Sequence, residues 1–179
     1  MRVLITGAEG QDGHYLTAAL RDRGHQTVGT ALHQDSLAAG SAAEVTLDVT
    51  DRNATQALVA AVAPDAIVHL AAISNVPFAA EHPELAREVN VTGLVNILDA
   101  VRACGSAIQV VNASSVEVFA PNDGLINEES PLGGISVYAQ TKQEALTLAR
   151  TSDVAVANML MSNHESPLRT TAFVTGKIA

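Results

Sequence analysis

Tyr138 and Lys142 stand four residues apart in the stretch SVYAQTK. On a helix predicted over 136–150, that spacing puts both side chains on one face. A lysine ammonium near a phenol favours the phenolate and moves the tyrosine toward proton transfer at neutral pH. Upstream, in NASSVEVFA, Ser115 offers a hydroxyl that can hold the reacting oxygen of a substrate, and Glu117 adds a carboxylate two residues later. Each feature also has an ordinary explanation. A Tyr-x-x-x-Lys pair fits a solvated helix surface, and Glu117 fits a loop carboxylate.

A second group lies at the start of the chain. Gly7, Gly10 and Gly13, in GAEGQDG, follow the apolar run Val3-Leu4-Ile5 directly. A strand, a glycine turn and then a helix is the arrangement that binds a pyrophosphate. Gly7 allows a tight exit from the strand, Gly10 lets backbone approach the anion, and Gly13 lets helix and sheet pack closely, with the helix N-terminus facing the phosphates.

These residues need a scaffold, and the apolar pattern predicts one. Short runs rich in Val and Ile at 2–6, 26–30, 44–47, 65–70, 107–112 and 153–160 read as six buried strands. Helical spacing fills 11–23, 51–62, 81–103 and 136–150, with Thr50 or Asp51 able to cap the second helix before it stops at Pro64. Strand and helix in alternation predict an α/β, doubly wound parallel sheet of Rossmann-like type.

Composition narrows the function further. The 179 residues are 47% apolar, enough for one sizeable core. Ten basic against nineteen acidic residues give a charge of −9, which repels a nucleic-acid backbone, and 3% aromatics with no Trp offer no stacking surface for single strands. No apolar run reaches membrane-spanning length. The single cysteine, Cys104, excludes an internal disulfide and is expected as a small buried residue near a helix end, which fits a reducing cytoplasm. His164 has no partner at metal-ligand spacing, so no metal is expected.

The spacing G-x-x-G-x-x-G resembles the extended short-chain dehydrogenase/reductases, and TGAEGQDGHYL resembles the opening of the GDP-mannose 4,6-dehydratases. The stretch Asn163-His164-Glu165-Ser166-Pro167, followed by Phe173-Val174-Thr175 and Lys177-Ile178, is similar to that family's most specific signature. In the superfamily Ser115, Tyr138 and Lys142 form a catalytic set, and Glu117 matches the extra carboxylate of the dehydratases.

The resemblance implies cofactor contacts at Gly7, Gly10, Gln11, Asp12 and Gly13, at Asp48 and Val49 beside the adenine, at Leu70, Ala71 and Ala72 beneath the nicotinamide ribose, and at Tyr138 and Lys142. It implies substrate contacts at Ser74, Ser115 and Asn163. Asp48 reads equally as a helix cap, and Asn90 as a helix-interior residue bonded to nearby backbone.

The cofactor implied is NADP or NAD. The family usually carries arginines after the second strand, but no Lys or Arg occurs between Arg23 and Arg52, where His33 and Ser36 could meet a phosphate or Asp35 a hydroxyl. The implied substrate is a sugar nucleotide such as GDP-mannose, and the implied assembly is a homo-oligomer joined through the helices at 81–103 and 136–150. Residues 1–162 then form the dinucleotide-binding domain and 163–179 begin a substrate-binding region. Two other readings stay open: a binding module that needs a partner chain to catalyse, and a nucleotide-sugar epimerase or reductase, for which Glu117 is unnecessary.

Overall fold

Val3, Leu4 and Ile5 sit on the first strand, β1 (Arg2–Thr6), and alternation sends them to opposite faces of one sheet. Leu4 packs with Val59, Ile67, Leu94 and Ile97 on one face, while Val3 and Ile5 pack with Ala8, Leu16 and Leu20 on the other. The computed structural model describes residues 1–37, 41–105, 107–121, 123–168 and 178.

After β1 come α1 (Gln11–Asp22), β2 (Gln26–Ala31), β3 (Val45–Thr46), α2 (Arg52–Val62) and β4 (Ala66–His69). Then follow α3 (Val76–Glu81), α4 (Pro83–Arg87), α5 (Gly93–Cys104), β5 (Gln109–Ser115), α6 (Val137–Thr151) and β6 (Val156–Met161). All strand pairs are parallel, in the order β3-β2-β1-β4-β5-β6. Strand order therefore reverses at β1, which has β2 on one side and β4 on the other, and the crevice beyond their C-terminal ends is where such sheets bind ligands.

Burial explains the cohesion. Leu4, Ile5, Val59, Ile67, Leu94 and Ile97 are wholly buried, and each such side chain contributes about 1.5–3 kcal/mol relative to exposure. α2 is capped by Asp51, whose carboxylate accepts from the Ala54 N–H at 2.9 Å.

The helix predicted over 81–103 is four pieces. Asn75 caps α3, accepting from the Phe78 N–H, and Pro83 starts α4 after His82 leaves helical geometry. One π-helical turn, Glu88–Thr92, then joins α4 to α5. Strand limits shift as well. β3 keeps two residues of the four expected, and β5 continues to Ser115, so Ser114 and Ser115 lie on the strand itself. Cys104 ends α5, only partly buried, with its side chain against the core.

α1 lies tight against the turn before it. A Cβ on Gly13 would come within 2.5 Å of the Ala8 Cα and 2.7 Å of its carbonyl oxygen. Because backbone cannot give way as a flexible side chain can, Gly13→Ala is expected to cost about 1–3 kcal/mol, measured as a lower midpoint of urea unfolding.

Candidate active site

The C-terminal ends of β1, β2 and β4 enclose a cleft of about 570 Å³. The turn after β1 forms one wall. Gly7 has φ +69°, and a Cβ there would meet the Ala71 N and Cα at 2.8 Å, so two chain segments touch backbone to backbone. Gly10 is the N-cap of α1, and no side chain caps that helix start. Its first N–H groups are therefore available to an anion.

The opposite wall is the turn after β4, and buried polar groups hold it. The Ala71 N–H donates to Thr6 Oγ1 at 3.4 Å, and that hydroxyl shares a 2.8 Å hydrogen bond with His69 Nδ1. Asn90 Oδ1 accepts from the Ile73 N–H at 2.8 Å, while Nδ2 donates to the Ile73 carbonyl at 3.1 Å and to Thr141 Oγ1 at 2.9 Å. Asn90 thus bonds backbone seventeen residues away rather than nearby. The π-helical turn carries this side chain.

The third wall is Asp48-Val49-Thr50. Asp48 does not cap α2. Its Oδ1 accepts from the Thr50 N–H and hydroxyl at 2.9 and 2.7 Å, and Asn96 Nδ2 donates to the carbonyls of Val49 and Thr50.

Gly7, Gly10, Gln11, Asp12, Gly13, Asp48, Val49, Leu70, Ala71, Ala72 and Ser74 all line this one cleft. Among the described residues His33, Asp35 and Ser36 do not. Leu32, Phe78, Leu85 and Leu168 join the lining as apolar residues whose scattered positions carried no signal in the sequence. The cleft fits a dinucleotide in its glycine turn, its uncapped helix start and its small-residue wall.

Ile73, which lines the cleft, also packs against the small cluster of Ala79, Ala86 and Tyr138. None of Ser115, Glu117, Tyr138 and Lys142 is among the residues lining the cleft itself. The Ser115 hydroxyl accepts from the Glu117 N–H at 3.2 Å. The exposed Glu117 carboxylate accepts from Ser136, the cap of α6, at 3.5 Å.

Burial pushes the Tyr138 phenol above its ordinary pKa, with the Ser115 bond opposing and the Glu117 charge adding to the rise. Lys142 does not offset this. Its Nζ lies 6.0 Å from the ring centre and donates to the Ala113 carbonyl at 2.9 Å, so burial raises the phenol where the lysine was expected to lower it. Burial brings Lys142 itself down to about 8. His69, also buried, is held at about 3 by desolvation and then by the Lys142 charge.

The segment after β6 folds back across the start of α1. His164 pairs with Asp12 through Nε2 at 2.7 Å, and the Ser166 hydroxyl donates to Gln11 Oε1 at 2.8 Å. Asn163 is exposed and outside the cleft lining. Phe173, Val174, Thr175 and Lys177 lie outside the described residues.

A model of the GDP-mannose 4,6 dehydratase family matches residues 4–179. The chain belongs to that family. A GDP-mannose 4,6-dehydratase from Sordaria araneosa is 32% identical over 97% of this chain and 35% of its own length. Among solved structures, one from Burkholderia cenocepacia superposes with a TM-score of 0.87 at 26% identity, covering 99% of this chain and 59% of its own. A UDP-glucose-4-epimerase from Stenotrophomonas maltophila, with NAD bound, gives 0.77 at 28% identity, covering 89% and 52%. This member of the dehydratase family spans between about a third and just over half the length of the curated relatives it matches.

Two measurements test the wiring of the site. Asn90→Leu removes the partner of the Ile73 amide and carbonyl, so a loss of about 2–3 kcal/mol is expected from chemical unfolding. Lys142 carries a pH signature. Its folded pKa of about 8 lies below the ordinary 10.5, so the burial penalty is full below pH 8, fades between 8 and 10.5, and is gone above. Lys142→Met is therefore expected to be more stable than the parent chain at pH 7, by on the order of 2 kcal/mol, with the gain disappearing toward pH 10.5.

Proposed function

We propose that this chain carries the cofactor site and the acid–base residues of a sugar-nucleotide 4,6-dehydratase acting on GDP-mannose. One observation supports this most: a carboxylate, Glu117, follows Ser115 at the C-terminal end of the strand next to β4, its N–H donating to the Ser115 hydroxyl at 3.2 Å, and both residues act on the Tyr138 phenol. A C4 redox step needs only the hydroxyl pair. A third group that removes a carbon-bound proton belongs to an elimination.

A nicotinamide dinucleotide in the cleft would supply the redox chemistry, as an acceptor and donor of hydride. The epimerase from Stenotrophomonas maltophila, which holds NAD, supports a cofactor of this class. Gly7, Gly10 and the start of α1 would hold its pyrophosphate, Asp48 and Val49 its adenine side, and Leu70, Ala71 and Ala72 its nicotinamide ribose.

On this reading Ser115 orients the C4 hydroxyl and Tyr138 takes its proton. Loss of hydride from C4 leaves a ketone that acidifies C5–H. Glu117 then removes the C5 proton, the C5–H electron pair forms the C5–C6 double bond, and the C6 hydroxyl leaves as water by taking that proton from Glu117. Because burial holds Tyr138 above its ordinary pKa, a positive charge close to the phenol would favour its action as a base. Ser74 and Asn163 are assigned to the substrate, and self-association along the helices after β4 and β5 belongs to the same proposal.

Mass spectrometry of GDP-mannose incubated with the chain and each oxidised cofactor tests this reading, with loss of one water expected. Tyr138→Phe should lower turnover by at least about 100-fold. Glu117→Gln should stop water loss while leaving oxidation at C4, whereas an epimerase would be little changed. Cofactor binding without any turnover would instead favour a module that completes its site with further chain or a partner.

A further inference from the structure

Given the proposed dinucleotide site, we propose that Glu9 makes this chain select the cofactor without a 2′-phosphate, NAD, over NADP. A pyrophosphate seated at the start of α1 sends the adenosine ribose toward the end of β2. What stands at that end therefore decides between a free diol and a phosphate.

β2 stops at Ala31, and the next residue, Leu32, is half exposed and has no polar side chain. The carboxylate arrives from elsewhere. Glu9, inside the glycine turn, reaches across so that its Oε1 accepts from the Leu32 N–H at 3.4 Å. Glu9, Ala31 and Leu32 all line the cleft. The turn that would bind the pyrophosphate thus also places a negative charge at the end of the neighbouring strand.

The other charges of the cleft act in the same direction. The charged residues of its described lining are Glu9, Asp12 and Asp48, all acidic. Asp48 is already held by Thr50 and Asp12 by His164, which leaves Glu9 as the carboxylate at β2. No Lys or Arg occurs between Arg23 and Arg52 to counter it. A ribose diol can donate hydrogen bonds to a carboxylate, while a phosphate dianion at the same point is repelled, with no Lys or Arg among the described residues of the lining.

Calorimetric titration of the chain with NAD⁺ and NADP⁺ tests this, together with ADP-ribose and 2′-phospho-ADP-ribose, which isolate the ribose from the nicotinamide. NAD⁺ and ADP-ribose are expected to bind at least about tenfold tighter than their phosphorylated partners. Raising the salt concentration should narrow that ratio in the unmodified chain. Glu9→Gln should narrow it to about threefold or less by strengthening the phosphorylated ligands.

Equal or tighter binding of NADP⁺ overturns the proposal and leaves the dehydratase reading standing. A ratio unchanged in a folded Glu9→Gln chain overturns the assignment to Glu9. A folded parent chain that binds none of the four ligands overturns the dinucleotide site and this inference together.

Discussion

The contact on which the site depends is that between the glycine turn after β1 and the turn after β4, where Gly7 meets the Ala71 backbone with no room for a Cβ. Parallel pairing of β1 and β4 brings the two turns together at the end of the sheet. They must then be fixed, because loop backbone with exposed amides has no ladder to hold it. Thr6, His69 and Asn90 supply the missing partners from inside the core, where hydrogen bonds are not exchanged for water. The cleft is in this sense a by-product of how the switch point is closed.

The same closure sets the electrostatics. Lys142, His69 and Tyr138 are all buried close to one another, and desolvation is the leading influence on each. Burial lowers the two bases and raises the phenol, so all three are pushed toward neutral forms.

Legibility in the sequence differed from part to part. The six strands, their order along the chain and the glycine turn were readable because apolar periodicity and glycine spacing are local signals. The stretch 81–103 was not, since Ala and Leu spacing says helix without showing that Pro83 and a π-helical turn divide it. That division gives Asn90 its role. The end of β5 was likewise misplaced, because Ser114 and Ser115 lack the apolar pattern of a buried strand, yet Ser115 pairs with Met161 in β6. GQDG and HESP stood out as separate motifs, but nothing local shows that His164 bonds Asp12 across 152 positions.

By itself, then, the sequence determined the alternation of strand and helix, the membership of a family through its motifs, and the residue types available for acid–base work. Tertiary structure alone decided which of those residues meet. It turned Lys142 toward Ala113, set Glu9 at the end of β2 and joined Asn90 to Ile73. The physical reason is that periodicity reports what each segment can form, whereas the partners of a side chain depend on which segments the crossovers bring together and on the protein it is buried in.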